Sequence, residues 1–551
     1  MTEHAGRRLL RHLRRRGVES LYLTAGSDFA PLVHAYTQGA EGLPEPVPCL
    51  EETVAIGMAH GRALATGQPQ VAMVHVTVGT AKALCGLINA AHDRTPLVLM
   101  AGRNPVTQQG QRGSRSMYIH WAQEMFDQGG MLREFVKWDY EVRDPSQVEE
   151  AIDRALAIAM AEPRGPVYLT LPREMLASEV PAPEVAAQLA VPTPAAPDPQ
   201  ALAQLAEWIA AARCPMVLAA DVGLQAGDRD ALATFADAAA VGVIEANRAF
   251  TSNLDPAHPR HLGFDVALAL EQADLLLVCG AAVPWIPDQQ RPQAGCRVVH
   301  LGIDPLFSRI PFRAFPADMH LACGYAPVFR ALAQATGGRA ARDAHLQRLR
   351  ATREQAVAAK RERVLASNTI TRSFASAALN AALPAEAVVV NEYWLDRDLV
   401  DTRTHGSYFY QSPAGGLGWG VPAALGVQRA WPQRRVVATV GDGSYVFANP
   451  TACHQAAAAQ RLPILIAIYN NRRWGAVENA AQQVYPELRA GQPEALPLAD
   501  LGPLPDYAAY ARASGGHGET VTQAGELAPA LQRCFAAMAE GRHALIDIHG
   551  T

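Results

Sequence analysis

Short, unbroken apolar runs alternate with alanine-rich segments along the whole chain. "VAMVHV", "PLVLMAG" and "GPVYLTLP" fall in the first third, and "PMVLAA", "ADLLLVCGA" and "CRVVHLGIDP" in the second. "AVVVNE", "RRVVATVGDG", "PILIAIYNN" and "HALIDIHG" fall in the last. A run of this kind has no polar face to turn to water, so the strand it forms must be covered on both sides. The segments between have the length and composition of helices, and strand–helix alternation builds parallel sheets flanked by helices. The fold class that follows is α/β, as three doubly wound parallel-sheet domains.

Two changes in composition place the boundaries. Residues 179–200, rich in proline and alanine, read as a semi-rigid linker, and the polar, helix-forming residues 337–368 read as a connecting surface helix. The predicted domains are therefore 1–180, 198–338 and 366–551, a division that a chain of 551 residues requires. A net charge of −5 gives no basic field for nucleic acid, and no apolar run is long enough to span a bilayer. Eight scattered cysteines without a CxxC pair fit a reduced, cytoplasmic chain. The arginine-rich start reads as an amphipathic first helix, not a transit peptide. Glu3 is acidic, serine is lacking, and "VESLYLT" follows at once as a strand.

The most informative stretch is "GDGSYVFANPTACHQAAAAQRLPILIAIYNN", residues 441–471. "RRVVATV" is a buried strand ending at Gly441. The spacing predicts a helix with Asn449 as N-cap and Pro450 at its first position, then a second strand ending at the asparagine pair. In such a βαβ unit both strands run parallel, so Asp442 and Asn471 reach the same carboxyl edge, where α/β sheets bind ligands. A carboxylate and an amide oxygen are hard donors that suit Mg²⁺ or Ca²⁺, and Mg²⁺ completes its shell with phosphate oxygens and water. The glycines beside Asp442 allow close backbone approach, so a magnesium-bridged diphosphate fits. The same residues also fit a tight turn in which the aspartate caps a helix.

"GDGS" followed by "NN" resembles the thiamine diphosphate signature of the pyruvate decarboxylase, acetolactate synthase and benzoylformate decarboxylase superfamily. "AGGLGWGVPAALGVQRA" (414–430) is similar to the "GGLGFALPAAIGVQ" pattern of the benzoylformate decarboxylase branch. The resemblance covers essentially the whole chain and implies pyrimidine-binding, middle and diphosphate-binding domains in that order. It implies thiamine diphosphate and Mg²⁺ as cofactors, with the metal on Asp442, Asn471 and the carbonyl oxygen of Arg473. Gly441, Gly443 and Ser444 would contact the diphosphate, and Leu417 would bend the cofactor.

Thiamine chemistry also needs a carboxylate on the aminopyrimidine, and "LEETVAIGMAHGRALATG" (50–67) resembles the family helix that provides it, at Glu52. The plain alternative is a first-turn acid on a helix N-terminus. By the same resemblance "TAGSD" (24–28) makes Ser27 a candidate to hold the substrate carboxylate, and "VHVTVGT" (74–80) makes His75 a proton-transfer group. Gln123 would stand near the thiazolium ring, and Trp474, Val477 and Ala480 would line the substrate pocket. Ser27 could instead cap a helix, His75 could be a core histidine of an apolar strand, Gln123 could lie on a solvated loop, Leu417 could be a core leucine, and the last three could pack a helix. One departure is that "GAAVPWIPDQQ" (280–290) has no histidine where benzoylformate decarboxylase carries a second one.

The implied activity is decarboxylation or carboligation of a small-molecule 2-oxo acid through a C2 ylide and an enamine, like that of benzoylformate decarboxylase. The alternatives are an acetolactate-synthase-like carboligase and a non-catalytic cofactor-binding or regulatory subunit. Relatives bind FAD, an ADP-like group or nothing in the middle domain, and FAD is not the favoured choice. Family members build each site from two subunits, which implies at least a homodimer, with a homotetramer favoured, and no nucleic-acid or membrane partner.

Overall fold

The computed structural model describes residues 2–181, 188–246, 249–334, 339–489 and 496–551. Three six-stranded sheets carry the chain, and every pairing within them is parallel. The first sheet runs, in space, Glu45–Pro48, Ser20–Leu23, Gln70–Val74, Leu97–Arg103, Val167–Pro172, Asp139–Glu141. The third runs Tyr408–Tyr410, Val388–Glu392, Val436–Gly441, Leu465–Asn470, Ala544–His549, His517–Val521. Counted by chain order within each sheet, both read 2-1-3-4-6-5. The middle sheet runs His261–Gly263, Gly242–Glu245, Pro215–Ala219, Leu275–Cys279, Arg297–Gly302, Met319–Ala322, and so reads 3-2-1-4-5-6. Where the order reverses, neighbouring crossovers leave opposite faces and a crevice opens at the carboxyl ends. In the outer domains that point lies between the first and third strands.

The apolar runs form these strands because nearly every residue in them is buried. The first helix, Ala5–Arg15, buries Leu9, Leu10 and Leu13. The polar stretch before the third domain is the helix Arg339–Leu365. No helix among the described residues is long and apolar enough to cross a membrane. Three local expectations are corrected. The stretch 179–200 is not all linker, because Glu179–Pro181 pairs antiparallel with Thr2–His4; residues 182–187 lie outside the described residues. His75 is not inside a strand, since the strand ends at Val74 and His75 is the N-cap position of the helix Val76–His92. Asn449 precedes the helix Pro450–Ala459, but its side chain does not cap it. A short helix, Asp442–Phe447, intervenes, and the Asn449 amide donates instead to Thr53 Oγ1 at 3.1 Å.

That last contact crosses from the third domain to the first, as does a helix pair packed backbone to backbone. The helix Glu52–Thr66 starts with Glu51 accepting from the Thr53 N–H at 2.7 Å and stops at Gly67, which takes a left-handed φ of 66°. It lies against the helix Gly420–Ala430. A Cβ at Gly61 would stand 2.0 Å from the Ala423 carbonyl oxygen, and one at Gly426 would stand 2.0 Å from that of Met58. Ile56, Met58 and Leu87 of the first domain and Val421, Leu425 and Ile466 of the third form one buried cluster. The middle domain has its own cores. It is joined to the third by the buried Arg397, 3.5 Å from the fully buried Glu245 and 3.6 Å above the Tyr408 ring.

Gly426→Ala should overpack this crossing and cost about 1–3 kcal/mol or more. A urea midpoint equal to that of the unaltered chain would refute the close-approach role.

Candidate active site

The strand Val436–Gly441 pairs directly with Leu465–Asn470, Gly441 opposite Tyr469. Asp442 and Asn471 therefore leave the tips of adjacent strands on one edge. Asp442 is 3% exposed. One carboxylate oxygen accepts from the Gly443 N–H at 2.8 Å and the other from the Arg472 N–H at 2.6 Å. Those bonds do not balance the burial, which pushes the carboxyl up to about 6. Asn471 Oδ1 accepts from the Arg473 N–H at 3.2 Å. Among the described residues no group donates to the Arg473 carbonyl. Around Gly441 the space is open, with Ser444 Oγ at 4.0 Å from where a Cβ would stand. An under-compensated buried carboxylate, an amide oxygen and a free carbonyl form an all-oxygen donor set beside room for an anion. These residues fit a hard divalent cation carrying phosphate.

Ser444 is buried beside Glu392, and its hydroxyl favours the charged form of that carboxyl. Glu392 ends the strand next to Val436–Gly441 and takes the backbone N–H groups of Gly418 (2.7 Å) and Gly420 (2.5 Å). Burial holds its carboxyl near 7. Leu417, half-buried, is thus followed at once by backbone anchored to Glu392. Trp474 lies with its ring against Gly443 and edge-to-face with Phe447 at 5.6 Å. Val477 and Ala480 are exposed on the helix Gly475–Val484. Ala480 also borders a cavity of about 580 Å³ with Asn391, Tyr393 and Arg372. The same edge of the sheet thus holds the donor set and an adjoining polar hollow.

In the first domain, Ser27, Asp28 and His75 flank the reversal point itself, following the first and third strands, Ser20–Leu23 and Gln70–Val74, whereas Asp442 and Asn471 follow the third and fourth strands of their sheet. Ser27 is half-buried at the start of a short 3₁₀ turn. His75 Nδ1 lies 2.5 Å from Asp28 Oδ1, and Gln123 Nε2 lies 3.5 Å from His75 Nε2. The Asp28 hydrogen bond raises His75 above its ordinary value despite partial burial. Glu52 is buried at the first position of its helix. Lys82 Nζ stands 2.9 Å from Glu51 Oε1 and 3.0 Å from Glu52 Oε2. The sequence reading brings Glu52, His75, Ser27 and Gln123 to one edge but misses Asp28, Lys82 and Glu392. Asp28 sits inside the quoted "TAGSD" turn, and Glu392 ends the "AVVVNE" run; an acid closing an all-apolar strand was the available signal. Lys82 had none.

The chain matches three descriptions in turn: "Thiamine pyrophosphate enzyme, N-terminal TPP binding domain" over residues 3–131, the central domain over 202–332, and the C-terminal TPP binding domain over 391–548. It is 30% identical to benzoylformate decarboxylase of Pseudomonas aeruginosa over 499 residues, 84% of this chain and 85% of that one. It is 25% identical to sulfoacetaldehyde acetyltransferase of Rhodobacter capsulatus over 573 residues, 97% of this chain and 92% of that one. It shares the fold of a thiamine diphosphate-dependent 4-hydroxybenzoylformate decarboxylase from Rhodococcus jostii, with a TM-score of 0.77, 23% identity, and 100% and 99% of the two chains covered. These likenesses along the whole chain lead to one assignment: the chain belongs to the thiamine pyrophosphate enzyme family, as a thiamine diphosphate-dependent decarboxylase or carboligase.

Proposed function

We propose that this chain is a Mg²⁺-dependent decarboxylase of a 2-oxo acid, close in activity to benzoylformate decarboxylase. The observation that carries the reading is the buried Asp442, short of compensating charge on the edge where Asn471 and the Arg473 carbonyl also end. Thiamine diphosphate, when bound, supplies the electron sink that lets carbon dioxide leave. Asp442, Asn471 and the Arg473 carbonyl would hold the cation, the turn at Gly441 to Ser444 would face the diphosphate, and Glu52 would meet the aminopyrimidine. Ser27 would hold the substrate carboxylate, His75 would move a proton at the reacting carbon, and Gln123 would stand beside it. A carboligase is the second reading. The stretch 280–290 offers no second histidine for protonation, and the relatives include a transferase.

The site is read as completed between two copies, with a tetramer as the larger assembly. Tyr118, Trp121 and Phe126 in the first domain and Phe447, Val484 and Tyr485 in the third are large exposed apolar side chains near these edges. Patches of that kind mark interfaces. No residue in the middle domain is assigned a nucleotide, and a cytoplasmic location goes with the reading.

A carbon dioxide release assay over a panel of 2-oxo acids, with products identified, tests the activity and separates aldehyde from hydroxyketone. Glu52→Gln should lower turnover by about 10²–10⁴-fold while cofactor binding persists; undiminished turnover would sink the role given to Glu52. Asp442 supplies a pH test. Its carboxyl is raised from 3.8 to about 6 by burial. In the cofactor-free chain this contribution to stability is present below about 3.8 and lost as the pH rises through about 6. A cation reverses the preference, because it binds only the carboxylate. Mg²⁺-dependent cofactor affinity, measured by calorimetry, should therefore fall as the pH drops below about 6 and should be absent in Asp442→Ala. An affinity flat from pH 7 to about 5, or retained in the variant, would remove Asp442 from the metal site.

A further inference from the structure

Asp28 has no place in the reading above, yet the fold is shaped around it. It is 4% exposed, at the turn that follows the first strand of the first sheet. One oxygen lies 2.5 Å from His75 Nδ1; the other is buried without a hydrogen-bond partner. Two glycines make room for the pair. A Cβ at Gly26 would stand 2.1 Å from His75 Nδ1, and one at Gly102 would stand 1.8 Å from Asp28 Oδ2. The His75 side chain is 17% exposed against 4% for Asp28, so the ring turns its Nε2 edge outward, with the Gln123 amide 3.5 Å away.

We propose that Asp28 is a positioning residue for His75, fixing the ring with Nδ1–H donated to the carboxylate and leaving Nε2 as the nitrogen that exchanges a proton in the site. A carboxylate behind an imidazole selects one tautomer and stabilises the charged ring, which a free surface histidine lacks. When the charged ring gives up its Nε2 proton it keeps Nδ1–H on Asp28, and water restores the lost proton. Asp28 is the largest influence raising His75 and Glu52 a smaller one of the same sign, while burial opposes both. His120, on the short helix Ile119–Ala122, is lowered by burial and by Arg173, with Arg115 and His75 adding to it and Glu174 opposing. Arg173 also senses Asp28 and is itself lowered by burial.

The proposal rests on the reading of His75 as the proton-transfer group, but its test does not need turnover. Full-length, cofactor-free protein carrying ¹³C- and ¹⁵N-labelled histidine is titrated by NMR, with His75→Gln identifying the His75 signals. The neutral ring should carry its proton on Nδ1, and the midpoint should lie above the ordinary 6.5. In Asp28→Asn, and in Asp28→Ser as a second variant, the midpoint should fall by about 1 pH unit or more. A wild-type ring protonated on Nε2, or a wild-type midpoint below 6.5, overturns the proposal without any variant. So does an unchanged midpoint in either folded variant. In the loaded enzyme the pH profile of kcat/KM should move in the same direction. If no 2-oxo acid is turned over, the functional reading falls, while the ring titration still decides the role of Asp28.

Discussion

Two helices that touch backbone to backbone hold this molecule's chemistry in register. Gly61 and Gly426 remove the side chains that would keep Glu52–Thr66 and Gly420–Ala430 apart, and the first and third domains share one core as a result. The consequence reaches beyond stability. Glu52 opens one helix of the pair, and the loop that carries Leu417 leads into the other. Thr53, at the start of the first helix, also takes a hydrogen bond from Asn449, which follows the short helix Asp442–Phe447. The acid at one crevice and the turn that packs under the other are thus fixed relative to each other by close-packed backbone, which transmits displacement without giving way.

Buried carboxylates sort themselves by what compensates them. Glu245 is met by Arg397 and by His261 at 3.5 Å each, a pairing that ties two domains and leaves nothing for a ligand. Glu392 is met by N–H groups from the loop after Leu417 and by Ser444, so its task is to hold two turns of the site together. Asp442 has backbone N–H groups alone, those of Gly443, Arg472 and Arg473, and an open space beside it. A buried charge left short of partners costs the folded state several kcal/mol unless something else supplies them. Burial raises Glu392 as well, so the deficit alone does not separate the two; Asp442 stands apart because the space beside Gly441 is open and Asn471 follows the adjacent strand.

Much of the architecture was legible because strands buried on both faces leave a pattern no helix imitates at that length. The "GDGS…NN" spacing was legible because a βαβ unit forces both tips to one edge. What the sequence could not show depends on contacts between distant segments. Asn449 reads as a cap from its neighbours, yet a partner 396 residues away takes its amide. His75 looks like part of an apolar strand because "VAMVHV" continues through it; only the pairing of Val74 with Ala101 shows where the ladder stops. Lys82 is an unremarkable helical lysine until the start of the preceding helix brings Glu51 and Glu52 to it. The shared strand order of the outer sheets was equally invisible, since no repeat in the sequence marks it.

That shared order is what makes the division of labour intelligible. Both outer sheets reverse between their first and third strands, so both must open a crevice at the same place on the same side. In the first domain the crevice is lined by proton-handling groups, His75 backed by Asp28 with Glu52 near by. In the third it is flanked by Glu392 and by the glycine turn at Asp442, and the oxygen donors continue to Asn471 after the fourth strand. Acid–base work needs groups whose protons are held in place, whereas metal and phosphate need room and free N–H groups. One crevice satisfies the first demand badly if it satisfies the second, because a cation beside His75 would discharge the imidazole. Two copies of one scaffold edge, filled with opposite chemistry, let a coenzyme with a basic ring at one end and a diphosphate at the other be held at both without either end spoiling the other.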